Sequence, residues 1–381
     1  MQGLYSIFDM ERYGLSIHYG EISLKGKLRP RFEKILRENI RYETGLLPSV
    51  ADNRLILDKT DETTKRLLKL TPGVSWFGDA IIIDREDGLL MNSLKNILSV
   101  YGSSVNFDVK RIDKKFGSTS LELKEKIAKT LGIRFDPHGH KLRVEIMPKN
   151  YIINYSIQRG IGGVPVGSAG KIISLFSGGI DSAVVPLEMM KRGCIVDLLH
   201  VYSVADQEEV LNSKISEIVK RLSSINPIRL YMVPFHFFSM DMISANPRYE
   251  LVLFKRFLIR LAEEIAYRYG YKAIANGDSL SQVASQTLDN INSISYGINL
   301  PVFRPLLSYN KEDIIDLAKK YGTYELSLQK YKDCCSLVAK NPLTTASMEK
   351  VKEFEKKIDL DLIINESLSK MSVKLFSKND D

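Results

Sequence analysis

Cysteine is nearly absent from this chain. Three residues in 381, two of them adjacent at Cys334 and Cys335, cannot build a disulfide framework, and no Cys-x-x-Cys pair is present to open a zinc or iron–sulfur site. Long apolar runs are missing too: no stretch of about 18 apolar residues could cross a bilayer, and Met1-Gln2-Gly3-Leu4-Tyr5 lacks the basic, apolar and small-residue succession of a secretory leader. No membrane partner is expected, and the chain is expected to be cytoplasmic. No short-period repeat or low-complexity tract occurs, and no glycine-rich loop ends in the Gly-Lys-Ser/Thr of a Walker A motif. The charge excess is modest and basic, 54 Lys and Arg against 46 Asp and Glu, for a net +8. That suits a polyanionic partner without identifying one.

What is present is concentrated at one junction. The apolar run Ile172-Ile173-Ser174-Leu175-Phe176 leads directly into Ser177-Gly178-Gly179-Ile180-Asp181-Ser182 and then into an amphipathic stretch. Two consecutive glycines let a backbone turn close to an anion and converge amide N–H groups on it. The helix that follows points free N–H groups and the positive end of its dipole at the same place, and Ser177 and Ser182 add hydroxyl donors. Asp181 does not fit a simple anion cradle. It reads as a ligand for a Mg²⁺ ion bridging carboxylate and phosphate, or as a helix cap. The whole string resembles the signature of the PP-loop ATP pyrophosphatases, which cleave ATP to AMP and pyrophosphate while adenylating a substrate oxygen.

The clearest linker is the Gly- and Pro-rich stretch 159–170. Before it, strand-like and helical segments alternate in two sets, with strands at 15–20, 54–57, 80–84, 104–110, 142–147 and 151–156 and helices at 27–42, 62–70, 88–101 and 118–131. After it, strands at 171–176, 195–201, 227–233 and 272–276 alternate with helices at 182–192, 207–222 and 250–269. This is the pattern of a doubly wound parallel sheet, whose ligands sit at the carboxyl ends of strands. The tail from Lys374 to Asp381 is expected to fray. A separate basic cluster, Lys25, Lys27, Arg29 and Arg31, spans the start of the helix at 27–42 and could track a phosphate backbone or face solvent.

Three further strings complete a pattern: 276–287 beginning Asn276-Gly277-Asp278-Ser279, 304–314 containing Arg304-Pro305-Leu306 and Lys311, and 333–342 beginning Asp333-Cys334-Cys335. With the loop at 177–182 and the basic cluster, they resemble the tRNA 4-thiouridine synthetases along nearly the whole chain. The resemblance implies an N-terminal ferredoxin-like α+β domain over 1–58, a THUMP RNA-binding domain over 59–160, a linker at 161–170 and a PP-loop catalytic domain over 171–381. It implies a tRNA uracil 4-sulfurtransferase that adenylates the C4 oxygen of uridine eight of tRNA and then displaces AMP with sulfur, using ATP and Mg²⁺.

Carried over by the resemblance, nucleotide contacts fall on Leu175, Phe176, His200, Val201, Lys255, Gly277 and Gln286, with Ser177, Gly178, Gly179, Asp181 and Ser182 around pyrophosphate. Arg256 stands beside Lys255 as an alternative. Asp181 and Lys311 take catalytic roles, Asp181 as the metal ligand, and Cys335 rather than Cys334 matches the sulfur-handling cysteine. Without the resemblance, both cysteines read as small packing residues. Lys25, Lys27, Arg29 and Arg31 become tRNA contacts. No rhodanese segment follows Cys335, so the resemblance is to the short form, with a cysteine desulfurase or another sulfur donor as partner and a role in thiazole synthesis not expected. A homodimer, another PP-loop substrate and a non-catalytic tRNA-binding relative stay open at this point.

Overall fold

The computed structural model describes residues 11–59, 61–241, 247–283, 286–338 and 343–379, with the backbone alone for Asp241 and Cys335. The chain divides into two units, Met1–Val164 and Pro165–Asp381.

In the first unit eight strands form one continuous sheet: β1 (Glu11–His18), β2 (Ser49–Ala51), β3 (Arg54–Leu57), β4 (Trp76–Asp84), β5 (Ser104–Arg111), β6 (Arg134–Phe135), β7 (His140–Ile146) and β8 (Asn150–Arg159), in the order β2-β3-β1-β4-β8-β7-β5-β6. Among the described residues, two larger apolar cores and a small one of Ile56, Ala80, Met147 and Ile152 lie on it. Leu15 and Ile17 of β1 pack with Leu36 and Ile40 of the helix Arg29–Thr44 and with Leu68 of the helix Glu62–Leu68. That first helix has a proline in its opening turn and stops at Gly45, whose φ of +79° closes the last turn without a Cβ penalty. Ile81 and Ile83 of β4 pack instead with Leu90 and Leu94 of the helix Asp87–Tyr101 and with Leu123 and Ile127 of the helix Ser120–Leu131. Strand β4 joins the two halves, pairing antiparallel with β1 on one side and with β8 on the other. The helix Glu62–Leu68, which lies past residue 58, therefore shares the core of the residues before it. A buried ion pair between Arg54 and Glu145 ties β3 to β7 across the same sheet.

The second unit is built on β9 (Gly170–Leu175), β10 (Cys194–Tyr202), β11 (Ile228–Pro234), β12 (Ile274–Ala275), β13 (Val302–Phe303) and β14 (Ser372–Phe376), ordered β13-β12-β9-β10-β11-β14. All neighbours run parallel except β11 and β14. The chain runs outward from β9 through β10 to β11, then crosses to the other side of β9 for β12 and β13. The order thus reverses between β9 and β12, which opens a crevice at their carboxyl ends. The crossing is made by the helix Glu250–Tyr269, where the 3.6-residue apolar period predicts it; its inner face, including Phe254, Phe257, Leu261 and Ile265, is the centre of the core.

Three local expectations are corrected. The helix expected over 207–222 is two helices, Gln207–Leu211 and Lys214–Ser223, because Ser213 caps the second with its hydroxyl accepting from the Ile215 N–H. The strand expected over 272–276 pairs only at Ile274–Ala275, since Asn276 turns into the crevice. The tail does not fray from Lys374: Ser372–Phe376 adds an antiparallel edge to β11 and buries Phe376 completely.

Candidate active site

The loop after β9 is shaped by its two glycines and its two serines. Gly178 has φ of +82°, and a Cβ there would lie 2.3 Å from Cδ1 of the buried Ile215, so backbone conformation and space both require glycine. Gly179 is the N-cap of the helix Ile180–Lys191 and supplies no side-chain cap, which leaves that helix start without the acceptor a Ser, Asp or Asn would bring. The Ser182 hydroxyl, expected as a phosphate donor, organises the loop from within: it accepts from the N–H groups of Ser177 (3.2 Å) and Gly178 (3.1 Å) and donates to the Gly179 carbonyl (3.0 Å).

Asp181 sits in the first turn of the same helix. Its Oδ1 accepts from Lys311 Nζ at 2.5 Å, and its Oδ2 from Gln282 Nε2 at 3.3 Å. Lys311 is the first residue of the helix Lys311–Tyr321, where a cation opposes the helix dipole. Asn310 caps that helix through the Asp313 N–H, and Glu312 and Asp313 balance the charge. Lys311 is thereby held at a helix start facing Asp181, with 43% of its side chain exposed. Gly277 permits the other close approach: a Cβ there would come within 3.2–3.3 Å of the Asp181 and Ser182 backbone.

Next to Gly277, the buried Asp278 is flanked by Lys255 Nζ at 2.9 Å, Arg304 Nε at 3.4 Å and Asn276 Nδ2 at 2.7 Å. Burial works to raise its carboxyl, but Lys255, Arg304 and Asn276 outweigh burial and hold it below the usual carboxylate range. Asp278, Arg304 and Gln282 lie in the strings that carry the resemblance, but neither residue type nor spacing singled them out; the signal was a polar run leaving a strand end. Between Lys255 and its alternative, the geometry is plain. Lys255 lines the crevice, whereas Arg256 points into the core, paired with Glu355 at 3.0 Å and stacked on Tyr296 at 4.0 Å.

The crevice is a cavity of about 590 Å³. Of the expected contacts, Leu175, Phe176, Ser177, Asp181, Ser182, Val201, Lys255, Gly277 and Gln286 line it, while Gly178, Gly179, His200 and Lys311 do not. Its inner part is apolar, with Leu199, Phe254 and Ile294, and its outer part is the polar loop. The Gln286 amide oxygen is buried without a hydrogen-bond partner among the described residues. An unpaired acceptor beside an apolar slot fits the amino group of a nucleobase, with the anionic end at the helix start. Among the described residues no group of three or more His, Cys, Asp or Glu side chains is arranged to hold a metal. A cation here would depend on Asp181 together with oxygens of a bound phosphate.

His200 lies beneath this cavity. It is 1% exposed; Nδ1 bonds the Phe176 carbonyl at 2.8 Å and Nε2 bonds the Tyr331 hydroxyl at 2.9 Å. Burial pushes its pKa down to about 4, so the ring is neutral, with Nδ1–H donating to the carbonyl and Nε2 accepting from Tyr331. Cys334 does line the cavity, but its thiol donates to the Val201 carbonyl at 3.3 Å, and burial pushes its pKa up to about 12. Cys335 follows in the same short helix, Cys334–Val338, and its side chain lies outside the described residues.

In the first unit the basic cluster is not uniform. Lys27 and Arg31 are exposed. Lys25 sits over the Phe32 ring at 5.2 Å, and Arg29 is bound to Glu33 at 2.7 Å and to the Tyr19 hydroxyl at 3.1 Å. A second feature is not evident from the sequence: a groove of about 680 Å³ lined by Trp76, Phe135, Lys124, Lys141, Arg143 and Arg159. Lys124 lies over Phe135 and Arg143 over Trp76, at 5.1 and 5.3 Å. The signal was available in Lys141 and Arg143, two residues apart on one face of β7.

A parallel sheet whose order reverses beside a Ser-Gly-Gly-Ile-Asp-Ser loop and an uncapped helix start defines a nucleotide-binding α/β protein of the PP-loop type. The family model described as thiamine biosynthesis protein (ThiI) matches residues 167–360, and that of the ThiI ferredoxin-like domain matches 15–76. The chain belongs to the ThiI family. It is 31% identical over 386 residues to a protein of Staphylococcus epidermidis named "Probable tRNA sulfurtransferase", covering 96% of this chain and 95% of that one, and 31% identical over 375 residues to one of the same name from Staphylococcus aureus, covering 93% and 92%. A solved structure of a 4-thiouridine synthetase in complex with RNA and bound ATP superposes with a TM-score of 0.82 at 28% identity, over 96% of this chain and all of that one. PH1313 from Pyrococcus horikoshii, at 18% identity and a TM-score of 0.56 over 81% of this chain and 99% of that one, shares the fold.

Proposed function

We propose that the chain is an ATP-dependent tRNA sulfurtransferase that makes 4-thiouridine at position eight of tRNA. The observation that carries this reading is the Asp181–Lys311 pair on the 177–182 loop at the strand-order reversal, beside an apolar cavity whose Gln286 acceptor has no partner among the described residues. In the first half-reaction the uridine C4 oxygen attacks the α-phosphorus of ATP, a new P–O bond forms, and the bond to the β-phosphate oxygen breaks. The loop and the helix start hold the departing pyrophosphate, and Lys311 offsets charge on the phosphates as the bond breaks. Mg²⁺ would be held by Asp181 and phosphate oxygens, where it lowers the charge on the phosphates. In the second half-reaction the outer sulfur of a Cys335 persulfide attacks C4, the C4–O bond breaks and AMP leaves, giving a C4–S–S–Cys335 disulfide; a thiol reductant then attacks the Cys335 sulfur, the S–S bond breaks, sulfur stays on C4 and that thiol is joined to Cys335 as a disulfide.

Sulfur arrives from a donor such as a cysteine desulfurase through Cys335. Cys334 suits this poorly, since a thiol held protonated is a weak nucleophile. The first unit supplies the RNA grip, read as a ferredoxin-like part and a THUMP part. Its exposed Lys27 and Arg31 and its basic, aromatic groove suit phosphates and unstacked bases. The test is nucleoside analysis of an unmodified tRNA transcript after incubation with the protein, ATP, Mg²⁺, a persulfide donor and a thiol reductant. Appearance of 4-thiouridine, confined to position eight and lost with Lys311→Met, supports the reading; unmodified uridine with ATP consumed in the absence of tRNA rejects it.

A further inference from the structure

The end of β10 carries a set of bonds that ATP binding alone does not explain. Three contacts fasten the segment leading into the two cysteines onto this strand and the residue after it: His200 Nε2 with the Tyr331 hydroxyl at 2.9 Å, Ser203 Oγ with the Lys332 carbonyl at 3.0 Å, and the Cys334 thiol with the Val201 carbonyl at 3.3 Å. His200 differs from the other two because its second nitrogen holds the Phe176 carbonyl, one residue before the pyrophosphate loop. Lys214 lies close to the same loop. Lys214 passes its Cε 3.5 Å from where a Gly178 Cβ would be, and its ammonium donates to the Ser327 carbonyl at 2.8 Å. The charge of Asp333 also acts on it. The pyrophosphate loop is thus tied at Phe176, through His200, to Tyr331, and Lys214, which runs beside Gly178, is bonded to Ser327 of the same segment.

We infer that His200, Tyr331 and Lys214 are positioning residues that set the cysteine-bearing helix in register with the pyrophosphate loop, so that sulfur is delivered to the uridine activated there. The inference rests on the proposed function and adds to it: residues outside the nucleotide cavity govern the second half-reaction and leave the first alone. This role belongs to the His200 ring, both of whose nitrogens are committed and which does not line the cavity. The physical reason for a separate effect is geometric. Adenylation needs ATP, the uridine and the loop, whereas displacement of AMP also needs a sulfur atom on a different segment brought to C4, and transfer is steeply sensitive to such placement.

Tyr331→Phe removes one hydroxyl and keeps the ring, and Lys214→Met removes the ammonium and keeps most of the apolar stem. For each, tRNA-dependent pyrophosphate release and 4-thiouridine formation are measured in the same reaction, with thermal melting as a check on folding. The expected result is pyrophosphate release within about twofold of wild type and a fall of about tenfold in thiouridine formed per pyrophosphate released, the loss of one well-placed hydrogen bond. Equal loss in both half-reactions, or an unchanged ratio, overturns the inference. A wild-type protein that releases no pyrophosphate in response to tRNA would instead overturn the proposed function, so the two failures are told apart.

Discussion

Replacing Lys311 by methionine separates a catalytic role from a structural one, because the structure sets very different magnitudes for the two. The Lys311–Asp181 pair is short, but the lysine is 43% exposed and the aspartate 22%. A pair so open to water contributes about 0–1 kcal/mol to folding. Removing a cation from the first turn of the helix Lys311–Tyr321 also relieves an unfavourable dipole contact worth about 0.3–1 kcal/mol. The two nearly cancel, so the melting temperature of the second unit should move by no more than about 2–4 °C. If Lys311 stabilises charge on the phosphates during adenylation, its loss should cost about 100- to 1000-fold in turnover. The assay is tRNA-dependent pyrophosphate release at saturating ATP, alongside a melting curve. Turnover within about threefold of wild type, or a loss accompanied by a large drop in melting temperature, would refute the reasoning.

Other outcomes follow from the same geometry. Lys27→Ala with Arg31→Ala should weaken tRNA binding and lower the slope of log K against log salt by about 2, whereas Arg29→Ala, which removes a partner of Glu33 and Tyr19, should mainly lower stability; a binding titration across salt concentrations distinguishes them. His200 is neutral with its folded pKa depressed to about 4 from 6.5, so the unfolded chain binds the proton first. The stabilisation is present above pH 6.5 and lost as pH falls toward 4; unfolding free energy of the second unit should drop by about 2 kcal/mol between pH 7 and pH 5, and a His200→Gln variant should lack that drop in denaturant titrations. Cys334, with its thiol pushed up to about 12, should resist alkylation in the native protein at pH 8, and peptide mass mapping that finds it modified faster than in a denatured control would contradict its assignment as a held thiol.

Much of this molecule is legible in its sequence, for reasons visible residue by residue. The helix Glu250–Tyr269 carries a 3.6-residue apolar period over five turns and ends at a glycine, so its limits are predictable. The loop 177–182 is readable because two glycines and two serines between a strand and a helix have few other uses. What the sequence hides is pairing at a distance. Asp278 could not be matched to Lys255 and Arg304 before the sheet order was known, and nothing in the sequence joins His200 to Tyr331, 131 residues away, or to the Phe176 carbonyl. The β14 edge was missed because a short, charged terminal segment has no period to distinguish it from a loose tail; its pairing depends on β11 offering an open edge. The exposed Lys27 and the tied Arg29 are likewise equal in sequence and separated only by Tyr19 and Glu33.

The central claim is that this loop activates a uridine of tRNA with ATP. The most direct test needs no sulfur donor: purified protein, labelled ATP, Mg²⁺ and an unmodified tRNA transcript are incubated, and pyrophosphate release and adenylated RNA are followed, with Asp181→Ala as the control. Label should enter RNA and pyrophosphate should appear only when tRNA is present and Asp181 is intact; pyrophosphate release indifferent to tRNA, or tight tRNA binding with no turnover, would contradict the claim.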